Sequence, residues 1–290
     1  GLGKVALGKR KDGKYAATVG GVVLSIPRQV GKTFFVGMIL IALCLLFPGL
    51  TVVWTAHRTR TSTKTFQTMR GMALRKKVRP HLAPGRSEGI RTTNGEQEIR
   101  FRNDSVIMIG AREQGFGRGF DQVDIEVFDE AQILTERAVE DMVPAANQSS
   151  HPAGALLFFM GTPPRPSDPG EEFTARRSKA LSGRATNMVY VEMSADPDAS
   201  LDDPAQWAKA NPSFPERTPR ESMERMREQL TDDDSFRREG LGIWDEIDAD
   251  SVIDLNRWGE LADERSKAVD RLVLGVHVNQ ARTRASVSVA

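Results

Sequence analysis

The stretch Ser25-Ile26-Pro27-Arg28-Gln29-Val30-Gly31-Lys32-Thr33 joins the apolar run Gly21–Leu24 to the longer apolar run Phe34–Phe47. A strand, a tight loop ending Gly-Lys-Thr and then a helix form the arrangement that cradles nucleotide phosphates. Backbone N–H groups and the helix N-terminus point at the anion, the lysine bridges the outer phosphates, and the hydroxyl ligates the accompanying magnesium. Pro27, Arg28, Gln29, Val30, Gly31, Lys32 and Thr33 are therefore read as contacts for ATP, with Thr33 on Mg2+. The general pattern opens on a glycine where this chain has Ile26, so the loop is a variant. A chance Gly-Lys-Thr at a helix start competes with this reading until a second motif is found.

That motif is Ile125-Glu126-Val127-Phe128-Asp129-Glu130-Ala131. At the end of such an apolar strand Asp129 can hold the magnesium shell, while Glu130 orients and deprotonates the attacking water. The reading expects the strand before Lys32 and the strand before Asp129 to lie side by side. A third strand, Ala155–Met160, leads into Gly161-Thr162-Pro163-Pro164 and puts Thr162 at the carboxyl edge of the sheet, where it can sense a γ-phosphate. An arginine can complete such a site. Arg28 is the candidate within the loop, and Arg112 and Arg118, in the glycine-rich segment Ala111–Phe120, are candidates acting on a neighbouring subunit or making ordinary ion contacts.

Val22–Ile26, Thr33–Phe47 and Thr51–Ala56 read as a β-α-β unit with parallel, doubly covered strands. Phe34–Phe47 has to be weighed as a membrane span, but Pro48-Gly49 cuts it at about 14 residues, which suits a buried helix. No membrane association is expected, and Gly1–Lys14 is basic without leading into an apolar signal core. A helix is predicted from Thr65 to Arg75. The polar stretch His57–Thr65 before it either faces a DNA backbone or is a solvated helix start. Arg75–Arg102 is basic and turn-rich, a loop and hairpin region, and Ser105–Ile109 is a strand. Forty Lys+Arg against 39 Asp+Glu leave a net charge of +1, so any basic surface is local. The single cysteine, Cys44, excludes an intrachain disulfide.

Past Val189–Met193 the composition turns acidic and helical. Gln206–Pro212 is a short helix ended by Asn-Pro, and Glu221–Leu230 and Asp234–Leu241 are charged helices. Arg271–Val278 and Ala285–Ala290 are strands about the polar turn Asn279–Arg284 and look like the beginning of a second domain.

Together these residues resemble the large terminase subunit of tailed bacteriophages, the ATPase-nuclease motor that packages DNA into a procapsid. The carriers are Pro27–Thr33, Thr51–Met69, Val127–Gln132, Gly161-Thr162-Pro163, Trp207 with Ala210-Asn211-Pro212, and Phe236–Glu239 with Trp244. The resemblance covers nearly the whole chain, and that family tolerates the missing first glycine. It implies an α/β fold: a P-loop ATPase domain with an additional-strand parallel sheet at 1–195, a helical linker subdomain at 196–270, and the first strands of a ribonuclease-H-like domain at 271–290. It also implies ATP and Mg2+ as cofactors, and double-stranded DNA, the small terminase subunit and the portal protein as partners. A homo-oligomeric ring on the portal, in the host cytoplasm during virion assembly, follows from the same likeness. In such a nuclease a carboxylate on the opening strand binds metal, and here His277 takes that place. An imidazole cannot bridge two Mg2+ ions, and the other carboxylates would lie beyond Ala290, so no cutting is expected. A helicase-like ATPase and a nucleotide-dependent assembly protein without turnover are the alternatives.

Overall fold

A computed structural model describes residues 2–245, except 86, 94, 96 and 231, together with 274–278 and 285–289. A short helix α1 (Leu2–Ala6) precedes a turn at Gly13, where Lys9 and Tyr15 form an isolated bridge. Then come β1 (Gly21–Ser25), α2 (Lys32–Leu46), β2 (Thr51–Ala56) and α3 (Thr59–Ala73). The hairpin region supplies β3 (Ile90–Arg91), β4 (Gln97–Arg100) and β5 (Val106–Ala111). The chain continues through β6 (Ile125–Asp129), α4 (Glu136–Ala146), β7 (Leu156–Gly161), α5 (Glu171–Leu181) and β8 (Met188–Glu192). Three helices follow, α6 (Pro204–Ala210), α7 (Arg220–Gln229) and α8 (Asp233–Glu239).

The eight strands form one sheet in the order β3-β4-β5-β2-β6-β7-β1-β8. From β5 to β8 neighbours run parallel, while β3, β4 and β5 pair antiparallel. One sequence expectation is corrected here. β1 and β6 do not lie side by side, because β7 is inserted between them, and β1 and β2 are separated by both. β7 is the additional strand, and its register keeps the three carboxyl ends level: Ser25 faces Gly161 and Asp129 faces Met160. Strands spaced about 4.8 Å apart put the loop after β1 and the residues after β6 only about 10 Å from each other, so adjacency is not needed.

Alternation along the strands divides the core. Val22, Leu24, Val52, Trp54, Val127 and Phe158 turn to the face covered by α2 and α3. Val23, Val53, Phe128, Leu157 and Phe159 turn to the face covered by α4 and by Phe173 of α5. α2 is apolar along nearly its whole length and buries one face, Val36, Leu40, Leu43 and Cys44 among it, while Phe34 and Leu46 are exposed; a Cβ at Gly37 would meet Met69 Sδ at 2.4 Å, so the glycine sets how closely α3 packs. No described helix is long and apolar enough to cross a membrane. α3 begins six residues before the predicted Thr65. Its first turns are polar because they border a cavity instead of the core.

Residues 195–243 form a small third core about Trp207, Met223 and Phe236. This helical segment, expected as a linker subdomain, belongs to the same compact unit as the sheet, which runs to Asp245. The physical reason lies at residues 239–244, which bond to the phosphate loop, as described below. Residues 246–290 form the second unit. Its described part is a two-stranded antiparallel sheet of β9 (Leu274–Val278) and β10 (Ala285–Val289), with His277 opposite Ser286. The predicted linker residues 246–270, the strand residues 271–273 and the turn 279–284 lie outside the described residues.

Candidate active site

The carboxyl edge of the sheet and the N-terminus of α2 enclose a cavity of about 360 Å3. Gly31 caps α2 in the left-handed region (φ 92°), which turns the loop back over the strand; Gln29 also has positive φ. Arg28, Gln29, Lys32 and Thr33 line the cavity from this loop. Val30 packs against the core and leaves only its backbone to the loop. Lys32 Nζ donates to the carbonyls of Ile26 (2.6 Å) and Pro27 (2.8 Å). Burial drives its ammonium down to about 8, with Arg28 adding to the fall and Asp129 and Glu239 opposing it. A phosphate there restores the favoured charged form.

Asp129 and Glu130 line the same cavity. Burial, with Glu130 beside it, raises Asp129 to about 6. Its Oδ1 accepts from Glu130 N at 2.9 Å. Glu130 sits in the left-handed region (φ 56°), which swings its side chain away from the strand. His57 N donates to its Oε2 (3.1 Å) and Thr61 Oγ1 to its Oε1 (3.3 Å). Thr162, buried, and Gly161 complete this wall from β7.

The hydroxyl of Thr33 and the buried carboxylate of Asp129 fit Mg2+, a hard cation that takes a few protein oxygens and fills the rest of its shell from phosphates and water. Gln132 Oε1, buried and without a partner, also borders the cavity and has an acceptor ready for a metal-bound or attacking water. Among the described residues no group of three His, Cys, Asp or Glu side chains could hold a metal.

The arginine candidates separate. Arg28 reaches the rim, where it is bidentate to Glu239. Arg118 is exposed and paired with Asp141 at 2.9 Å. Arg112 is bonded within its own chain. Its Nη1 donates to Thr55 O (2.9 Å) and Thr55 Oγ1 (3.1 Å), and its Nη2 to Asp129 O (2.7 Å). Burial lowers it to about 10, against the pull of Asp129 and Glu130. This guanidinium, donating to three oxygens inside its own chain, ties β2 to β6.

Sequence reasoning missed one wall, made by Thr61, Lys64, Thr65 and Thr68 of α3. Their spacing of three and four places them on one helical face, and that polar periodicity was the available signal. The pairing of Glu239 with the loop arginine and with Arg165 carried no local signal.

No protein-family model matches the sequence, and no curated protein matches it. Solved structures do resemble it. The large terminase of bacteriophage HK97 superposes with a TM-score of 0.68 at 15% identity, over 92% of this chain and 55% of that one. A large terminase from a thermophilic bacteriophage, solved in complex with ADP, gives 0.54 at 16% identity, over 83% of this chain and 52% of that one. The ATPase domain of the Thermus phage P74-26 large terminase gives 0.53 at 13% identity, over 83% of this chain and 92% of that domain. At these identities the likeness establishes the fold, that of terminase ATPase domains. The chain spans about half the length of the first two proteins.

Proposed function

We propose that this chain is the ATPase part of a phage large terminase subunit, hydrolysing ATP with Mg2+ to move double-stranded DNA into a procapsid. One observation carries the reading: Lys32, Thr33, Asp129, Glu130 and Thr162, drawn from three separate segments, line one cavity on a sheet of that fold. Thr33 and Asp129 would hold the Mg2+, which supplies charge neutralisation for the transferring phosphoryl group. Lys32 exchanges its two carbonyl partners for phosphate oxygens. Glu130, held at both oxygens by His57 N–H and Thr61, takes the proton of the attacking water. Thr162, just past the carboxyl end of β7 and lining the same cavity as Asp129, is placed for the γ-phosphate.

Double-stranded DNA, the small terminase subunit and the portal protein are the proposed partners, in a homo-oligomeric ring in the host cytoplasm. Nuclease activity is not proposed, since His277 occupies the place of a metal-bridging carboxylate. The test is a pair of variants assayed with and without DNA. Lys32→Ala should lose turnover and nucleotide affinity together, because it removes phosphate charge. Glu130→Gln should lose turnover alone and accumulate a bound, unhydrolysed complex. Turnover by Glu130→Gln equal to the unaltered chain would sink the assignment. A complete set of Lys32, Thr33, Asp129 and Glu130 argues against an assembly protein that binds ATP without turnover.

A further inference from the structure

We infer that Glu239 is a positioning residue for hydrolysis, holding Arg28 so that the free edge of its guanidinium meets the bound γ-phosphate. The inference rests on the ATPase reading above. Glu239 closes α8 and is only 5% exposed, yet its carboxylate takes two arginines from different parts of the chain. Arg28 donates through Nε to Oε2 and through Nη2 to Oε1 (3.0 Å), and Arg165, just past Thr162, donates to Oε1 at 3.1 Å. The backbone reinforces the pair, with Arg28 N donating to Glu239 O at 2.9 Å. Burial alone would raise the Glu239 carboxyl, but Arg28 and Arg165 outweigh it and hold the group below the usual range, so it stays ionised.

The support behind Glu239 is rigid. Phe236 is fully buried, Arg238 pairs with Asp245 at 2.7 Å, and Trp244 Nε1 donates to Ser25 Oγ at 2.8 Å. A Cβ on Gly242 would meet Pro27 Cγ at 2.9 Å, so residues 239–244 lie directly against the phosphate loop. This brace stands where the loop lacks its usual first glycine at Ile26. Bidentate pairing through Nε and Nη2 occupies one edge of the Arg28 fork and leaves Nη1 for another acceptor. Two guanidiniums on one carboxylate leave positive charge at the cavity rim, partly offset by Asp168, whose Oδ2 accepts from Arg165 N at 2.9 Å. Without Glu239 the half-exposed Arg28 side chain would spread over several rotamers, and a misplacement of about 1 Å at a reacting group can cost about 100-fold in rate.

The experiment is steady-state ATP hydrolysis by this chain with Glu239→Gln, Arg28→Ala and the double variant, each checked by thermal melting and ADP binding. Glu239→Gln is expected to lose about tenfold or more in kcat while KM stays within about threefold, and the double variant to be no slower than Arg28→Ala alone. Glu239→Asp keeps the charge one methylene short and should fall between; it carries the test if Glu239→Gln does not fold. Undiminished kcat in whichever variant folds, or losses that multiply in the double variant, would overturn the inference while leaving the ATPase reading intact. An unaltered chain that neither binds nor turns over ATP would overturn both.

Discussion

Replacing Glu126 by Gln should make the fold more stable at alkaline pH and change how stability depends on pH. Glu126 is 1% exposed, lies on β6 between Val53 and Leu157, and shares its sheet face with Phe128. Its Oε2 has no hydrogen-bond partner. Burial raises this carboxyl from 4.5 to about 8, and no neighbouring charge offsets the rise. Each pH unit of that gap corresponds to about 1.4 kcal/mol, so the ionised group costs the fold about 5 kcal/mol once fully deprotonated. The sign follows from the raised value: the native state binds the extra proton, its stabilisation is complete below pH 4.5, and it is lost as pH rises to about 8. Asp129, raised to about 6, acts in the same direction. Lys32, lowered to about 8, acts oppositely, adding stability as pH climbs through and beyond that value. The difference between the two proteins isolates Glu126. Urea unfolding followed by tryptophan fluorescence from pH 5 to pH 9 should show the Gln variant gaining several kcal/mol over the unaltered chain. A constant offset at every pH would refute the reasoning, because it would mean that Glu126 does not titrate between those limits.

Arg112→Ala should lower stability by about 1–3 kcal/mol in urea, since it leaves the Thr55 and Asp129 carbonyls without a donor. Unchanged stability, with activity restored on mixing with Lys32→Ala, would instead support a role across subunits. Gly161→Ala should weaken ADP binding in a titration, because its Cβ would meet Gln132 Oε1 at 2.6 Å and Gln132 N at 3.0 Å. Gly71→Ala, in α3 with nothing within 4 Å, should raise the unfolding free energy by about 1 kcal/mol. Plasmid incubated with this chain and Mn2+ should remain intact; chelator-sensitive nicking that persists through repurification would overturn the reading of His277.

The sequence by itself determined the elements whose identity is local. The phosphate loop was legible because a strand-length apolar run, Gly31-Lys32-Thr33 and a helix-length apolar run follow one another without interruption. Asp129-Glu130 was legible for the same reason, and so were β5, β7 and α6–α8, whose observed bounds fall close to the predicted ones. Tertiary structure alone decided the strand order, which put β7 between β1 and β6, since apolar periodicity shows that a strand is buried but not beside which neighbour. It also turned the polar face of α3 onto the cavity and committed Arg112 to the interior. Glu239 lies 211 residues from Arg28, and only the packing of Phe236 and Trp244 brings their charges together. Local chemistry is written in neighbouring residues, whereas a contact across the fold exists only once the cores on both sides have formed.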